Sequence, residues 1–333
     1  MGEYLFTSCF GSFVFDEGFN LKDKILFKDI QKTNERLEKS EWLEEEKQLI
    51  KRHNPEYFVG VKNQKLEGVK LTQDPAKMVR IQEFFKKDFS GFYQANLLIT
   101  KQKLKQAVTE DQLIIQTINN VEDLNKTINT LAKRLREWYE LYNPEFSESV
   151  QDHEKFVELI IKKDKGQLLK ELKLKPEQTM GAELKDKDVK PIIALAKQIN
   201  DLYKLKDVQT KYLEEKMNTV CPNMNAITGA LIGAKLISLA GSLQRMAKLP
   251  SSTIQLLGAE KALFRHLTNK KSLPPKYGIL HEHPLIAKAK KKEHGKIARK
   301  LADKISLAVK VDYFKGDFIG DKLKRDLEER FGR

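Results

Sequence analysis

Two periodicities divide this chain. From Tyr4 to Asp16 and again from Leu21 to Phe27, short apolar runs are separated by Gly11-Ser12 and by the turn-forming Asp16-Glu17-Gly18, which predicts two or three antiparallel strands. From Asp29 to about His53 the spacing becomes helical, with Ile30, Leu37, Leu43 and Ile50 among acids and lysines, and Asn54-Pro55 ends it. Tyr57 to Gly60 reads as another short strand, and Asp74-Pro75 opens a helix with proline in the first turn, where its missing N–H costs nothing. The first 112 residues are therefore expected to form a small α+β domain with Phe10, Phe13, Phe15 and Phe27 in its core, and they carry no recognisable catalytic set.

Near Leu113 the pattern becomes a long helix without glycine or proline until Pro144. Val121, Leu124, Ile128, Leu131, Leu135, Trp138 and Tyr142 alternate spacings of three and four, the seam that buries one stripe against another helix, and Ile114 and Ile118 extend it upstream with a slip. A second helix is expected from Ser147 to Leu172, with Phe156, Leu159, Ile160 and Leu169 as its apolar positions. A third is expected to start at Pro191 and to carry Ile192, Leu195, Ile199, Leu202, Leu205, Val208 and Tyr212. Residues 113–221 then form a long antiparallel helical coiled coil. The seam reads as a hairpin that buries its own stripe, and whether a remaining exposed stripe also pairs two copies of the chain stays open.

The run from Ala226 to Leu267 begins as a small, apolar helix and ends cationic. Gly229 and Gly233, like Ala230 and Ala234, are four apart and give one face on which a neighbouring helix can approach closely. Gly229 to Lys235 resembles a phosphate loop only superficially, lacking the GK[ST] ending and a preceding strand. Leu249-Pro250 is expected to break the helix, Ser251 to Thr253 to cap the next one with a capping box to Gln255, and Gly258 to kink it. Lys261 and Arg265 project from one side of the segment that follows, and Asn269 to Lys276, with Lys270-Lys271 and Pro274-Pro275, is a polar loop. His281-Glu282-His283 offers too few ligands for a metal, and none is expected. Lys288, Lys292, Lys296, Lys300 and Lys304 recur every four residues, with Arg299 beside them, on what reads as one helix. Like charges at that spacing repel, and phosphates would relieve them.

Charge sharpens this picture. The chain of 333 residues carries a formal net charge of +14, and residues 221–333 hold 23 Lys and Arg against 10 Asp and Glu, so +13 of it is C-terminal. Such a region beside a neutral remainder favours a polyanion, most commonly nucleic acid. A purely structural coiled coil leaves that distribution unexplained, and an enzyme acting on RNA would need a clustered His, Cys or carboxylate set that the sequence does not offer. The apolar run Ala226 to Ala240, interrupted by Lys235, falls short of the roughly 20 residues of a membrane span, and no secretory signal is expected at Met1-Gly2-Glu3-Tyr4. Cys9 and Cys221 stand alone, as expected of buried thiols in a reducing compartment.

Gly258-Ala-Glu-Lys-Ala-Leu-Phe-Arg-His-Leu267, with Gly229 to Lys235, Lys248-Leu-Pro-Ser-Ser252 and Pro275-Lys-Tyr-Gly278 around it, closely resembles the Nop family of box C/D ribonucleoprotein core proteins, over most of residues 222 to 310. Leu135 to Phe146 resembles the Trp-Tyr and Pro-Glu signature of that family's coiled coil, whereas the first third is similar only in texture, at Phe10-Gly-Ser-Phe13 and Phe15-Asp-Glu17. In length the chain is most similar to the archaeal, fibrillarin-binding member.

The resemblance implies three parts: an N-terminal fibrillarin-binding domain (1–112), a coiled-coil dimerisation region (113–221) and an all-α Nop domain (222–333). Leu124, Ile128, Leu131, Leu135, Ile192, Leu195 and Ile199 would form the dimerisation seam. Lys261, Arg265, His266, Lys296, Arg299, Lys300, Arg245 and Lys248 would bind RNA, while Gly258, Ala259 and Glu260 would sit at the junction between RNA and protein. The implied partners are fibrillarin, box C/D guide RNA, a kink-turn-binding subunit similar to a ribosomal protein, and a second copy of the chain. The implied role is a noncatalytic scaffold for RNA 2′-O-methylation, for example in rRNA modification. No cofactor would be bound directly, S-adenosylmethionine entering through fibrillarin. The setting would be the cytoplasm of an archaeal cell or the nucleolus of a eukaryote. The rival within the family is the spliceosomal relative, which binds a small nuclear RNA kink-turn.

Overall fold

The computed structural model describes residues 2–86, 89–269 and 271–331, so Lys270 and Arg333 lie outside the described residues. The chain divides into two compact units, Met1–Val108 and Thr109–Arg333.

In the first unit, β1 (Tyr4–Thr7), β2 (Gly11–Phe15) and β3 (Leu21–Leu26) pair antiparallel, as their alternation predicts. β4 (Tyr57–Val59) joins parallel to β1, and β5 (Lys70–Thr72), a strand the apolar pattern does not announce, extends that edge to give the order β3-β2-β1-β4-β5. Alternate residues of β2 face opposite sides of the sheet. Val14 packs with Leu5, Trp42, Leu49 and Phe58, while Phe13 and Phe15 pack with Phe10 and Ile81 on the other face. All four expected core phenylalanines are buried, and Cys9 is only half-buried.

The helix expected from Asp29 to His53 is two helices, α1 (Ile30–Glu38) and α2 (Glu44–His53). Ser40 between them takes a positive φ of 54°, and the Glu41 N–H closes back onto the Arg36 carbonyl. The break turns Trp42 into the core, where its indole N–H donates to the Gln64 carbonyl at 2.9 Å. Behind it lies a buried ion pair: Lys62 Nζ donates to Glu46 Oε2 at 2.7 Å and to the Glu41 carbonyl at 2.8 Å, between the rings of Trp42 and Phe58. Glu46 also accepts from the Thr7 hydroxyl and the Leu43 N–H. α3 (Pro75–Phe85), capped by Asp74 as expected, and α4 (Phe89–Gln106) complete the unit.

The second unit is helical. α5 (Glu110–Glu140) lies against α9 (Asp186–Val220). They run antiparallel, because Ile114 and Ile118 share a cluster with Leu213 and Met217, whereas Leu135 and Tyr139 meet Ile192 and Ala196. Leu124, Ile128, Leu135, Ile192 and Ile199 are buried in this hairpin, with Leu131 and Leu195 packed at its margin. Five of the seven seam residues are therefore buried within one chain, and Leu131 and Leu195 are partly covered. Trp138, expected in the seam, is instead 39% exposed, as are Leu205 (43%), Val208 (62%) and Tyr212 (38%) on the outer side of α9.

The helix expected over Ser147 to Leu172 is three pieces, α6 (Pro144–Ser149), α7 (His153–Lys162) and α8 (Lys165–Glu171). The carboxylates of Asp152 and Asp164 accept backbone N–H bonds of Lys155 and Gln167 and restart the chain as N-caps. α9 begins five residues before Pro191, whose missing donor leaves only the carbonyl of exposed Lys187 without its helical partner.

Beyond Cys221 the small-residue run is likewise divided. α10 (Pro222–Thr228) ends at Gly229, which has φ 71°, and α11 (Ala230–Ala240) ends at Gly241, with φ 88°. Gly229 is thus a corner, while Gly233 fulfils the expected close approach: a Cβ there would lie 2.7 Å from the Met217 methyl of α9. α12 (Leu243–Lys248), α13 (Ser251–Leu256) and α14 (Glu260–Thr268) follow. α13 has no side-chain cap, because Pro250, which carries no side-chain acceptor, occupies its N-cap position, and the Gln255 amide bonds to the Lys276 carbonyl. A 3-10 turn at Ile279–Glu282, α15 (Pro284–Ala287), α16 (His294–Tyr313) and α17 (Gly320–Phe331) close the unit. Asp312 fastens α10 to α16, accepting the N–H groups of Asn223 and Met224 at 3.0 and 2.9 Å. The division expected at residue 221 does not mark a break in packing: Ile114, Ile118, Leu213, Met217 and buried Cys221 belong to the same core as Ile237, Leu280, Leu301 and Ile305.

Candidate nucleic-acid interface

The first half of α16 exists because Ile297, Ala298 and Leu301 bury one face while Lys296, Arg299 and Lys300 face out. Opposite them runs the loop from Leu273 to Lys276. It is held by a short backbone pairing in which Gly278 N–H donates to Gln255 O at 2.9 Å and Ile279 N–H to Leu257 O at 2.8 Å. Only glycine permits that approach, since a Cβ on Gly278 would meet Leu257 O at 1.8 Å. The Gln255 side chain adds a bond to the Lys276 carbonyl at 2.6 Å. Between loop and helix lies a groove of about 940 Å³ lined by Lys276, Lys292, Lys296, Arg299 and Lys300, with Leu273, Pro274 and Pro275 as its apolar rim and no carboxylate in its lining among the described residues. Lys300 has Asp303 at 3.8 Å on its own helix, and the others form no ion pair among the described residues. The groove can accept a polyanion with a partly apolar edge.

The lysine stripe is not one helix. Lys288 caps the end of α15, Lys292 sits in the following turn, and only Lys296, Lys300 and Lys304 belong to α16, where Lys304 is paired with Asp326 of α17. α14 buries none of its residues, so Lys261 and Arg265 are exposed there beside Phe264 (64%) and Leu267 (65%). Gly258 precedes it as the kink, with φ 87°, and Glu260 Oε1 accepts the Gly258 N–H at 2.7 Å, so Glu260 serves this turn. Ala259 is the N-cap. His266 is bonded through Nδ1 to the Ser272 carbonyl, tying α14 to the groove's loop. Arg245 and Lys248 are exposed on α12, which packs on α16, but they do not line the groove. Sequence reasoning places Lys276 in a polar loop and Gln255 in a capping box, and assigns neither to the site; the Pro274-Pro275 pair and the Pro275-Lys-Tyr-Gly278 motif are the local signals beside Lys276.

Two further motifs are used structurally. Lys235, the lysine of the apparent phosphate loop, pairs with Glu122 at 3.2 Å and Glu282 at 3.0 Å and fastens α11 to α5 and the 3-10 turn. His283 is buried, with Nε2 on the Ile227 carbonyl at 2.9 Å and Nδ1 accepting the Leu285 N–H. Burial first, and the facing Lys324 ammonium last, push its pKa down, although the Ile227 bond opposes them. The unfolded chain then takes up a proton near the ordinary value of about 6.5 while the folded chain resists it, so His283 contributes stability above that pH that is lost as pH falls through it. The transition temperature of the Thr109–Arg333 unit is expected to fall between about pH 7 and pH 5, and His283→Gln to flatten that slope in thermal denaturation by circular dichroism.

The family model described as "Nop: snoRNA binding domain, fibrillarin" matches residues 120–333. The chain belongs to the Nop family. An uncharacterised NOP5 family protein of Methanocaldococcus jannaschii is 42% identical over 247 residues, covering 70% of this chain and 59% of that protein. Nucleolar protein 58 of Schizosaccharomyces pombe is 40% identical over 229 residues, covering 64% of this chain and 45% of that one. The chain thus spans about half of the length of these Nop relatives. A solved structure described as a fibrillarin/Nop5p complex aligns over 98% of each chain at 21% identity, with a TM-score of 0.44. The Nop match begins within α5 and runs through the groove.

Proposed function

We propose that the chain is a noncatalytic scaffold of a box C/D guide ribonucleoprotein, joining the fibrillarin 2′-O-methyltransferase through its first unit to guide RNA and a kink-turn-binding subunit through its second. The observation that carries this reading is the groove, whose five cations meet no carboxylate among its lining residues. Phosphate contacts of this kind supply affinity and register without reading sequence. α14 adds a second surface of different chemistry, Phe264 and Leu267 for a protein partner beside Lys261 and Arg265 for RNA. Family membership and the Nop58 and NOP5 relatives support the assignment. Pairing of two copies then falls to the outer stripe Leu205, Val208 and Tyr212 of α9, since the inner seam is occupied. A scaffold of this kind accelerates methyl transfer by positioning, removing the entropic cost of bringing enzyme and RNA together.

The test is assembly on a kink-turn RNA loaded with its binder. Lys261→Ala with Arg265→Ala is expected to weaken assembly about tenfold or more, two phosphate contacts being lost, while capture of fibrillarin by the same variant is unchanged. Unchanged RNA assembly would remove α14 from the interface, and methyl transfer by the purified chain alone would overturn the scaffold reading.

A further inference from the structure

A second cavity, of about 690 Å³, opens beside the turn that follows α15, with walls from the end of α10, from α15 and from α17. Lys288 and Lys324 line it together with apolar Leu285, Leu327 and Phe331, and Glu328 is its one carboxylate among the lining residues described. Lys288 is also the first residue of the turn Lys288-Ala-Lys-Lys-Lys292, whose last residue lines the basic groove. All four lysines of this turn are exposed, and none forms an ion pair among the described residues; the nearest acid in sequence, Glu293, follows at the start of α16. The Cα path from Lys288 to Lys292 is at most about 14 Å, the reach of roughly four stacked nucleotides at ~3.4 Å each. One cationic crest therefore joins two cavities, each with apolar surface beside its lysines.

Resting on the RNA-scaffold reading above, we propose that single-stranded RNA leaving the groove continues over the 288–292 turn into the second cavity. Lys288 and Lys324 hold its backbone phosphates there, and the Phe331 ring and Leu285 lie under a base. Aromatic faces beside a basic track suit single strands because every base has a π-face to stack. Glu328 opposes the phosphates and sets the occupancy of the far end. The bound RNA is then longer than the kink-turn element alone, by the length of the crest.

The experiment titrates the full chain with a binder-loaded kink-turn RNA, blunt or carrying a single-stranded extension of roughly six nucleotides at either end, by fluorescence anisotropy at about 50 and 200 mM salt. For the wild type, the extension at one end is expected to tighten binding and steepen the salt dependence. Lys288→Gln with Lys324→Gln should abolish that gain, lowering the slope of log affinity against log salt by about 1.4 for the extended RNA and leaving the blunt RNA unaffected. Glu328→Gln should strengthen binding of the extended RNA only, a gain that a folding defect would not produce. The inference is overturned if the lysine variant binds both RNAs like the wild type, or weakens both equally. Lys296→Ala with Arg299→Ala separates the two readings: if it leaves the blunt RNA bound as tightly, the groove assignment itself fails, whereas if it weakens both RNAs and the Lys288 and Lys324 variant weakens neither, only the second cavity is excluded.

Discussion

Alanine at Lys296, Arg299 and Lys300 is expected to lower the salt slope of RNA assembly by about three units, one for each phosphate contact. Between about 50 and 200 mM salt the wild type would then lose about sixty-fold more affinity than the triple variant. The three side chains are exposed, so the transition temperature should move little, and weakened binding would report lost contacts, not lost fold. Arg245→Ala with Lys248→Ala is the control, because those exposed cations lie outside the groove lining. Filter binding or anisotropy across a salt series reads both. An unchanged slope in the triple variant would show that RNA does not occupy the groove.

The second large effect is on stability. Lys62→Met leaves the Glu46 carboxylate buried without its cation, and Glu46→Gln leaves the ammonium among Trp42 and Phe58. Removing one partner of a buried pair costs roughly 3–5 kcal/mol, and in a unit of this size each kcal/mol corresponds to about 4–8 °C. A fall of at least about 12 °C in the melting of the Met1–Val108 unit is therefore expected, read by hydrogen exchange at the β1 and β4 amides. The double variant Glu46→Gln, Lys62→Met should recover part of the loss, since it leaves neither a carboxylate nor an ammonium buried without its partner. Single variants that melt like the wild type would show that the pair is dispensable.

Much of this architecture was legible in the chain's spacing, and what was hidden has a common cause. The seam through Leu124, Ile128 and Leu135 reports a buried stripe because each heptad position meets the same partner helix. What the stripe cannot state is whose helix covers it, and here it is the chain's own α9. Periodicity also runs through the breaks at Ser40 and Gly229, because apolar spacing continues while the backbone turns. Trp42 is buried only after such a turn, and the Asp152 and Asp164 caps act through backbone N–H groups that a count of apolar positions does not see. The candidate site was legible where charge sat on a helix, as at Lys296, Arg299 and Lys300, and illegible where tertiary pairing made it. Lys276 enters the groove because Gly278 lets the 276–279 backbone lie against residues 255–257.

The shared core of Ile114, Met217 and Ile305 has a thermodynamic reach. Because the roots of the α5–α9 hairpin and the support of the groove belong to one packed body, a ligand that binds only the folded groove adds its mass-action stabilisation to the hairpin as well. α9 alone runs 35 residues, roughly 50 Å at 1.5 Å per residue. RNA bound near its base would therefore slow opening of amides that it never approaches, and a partner seated along the hairpin would, by the same linkage, tighten the groove.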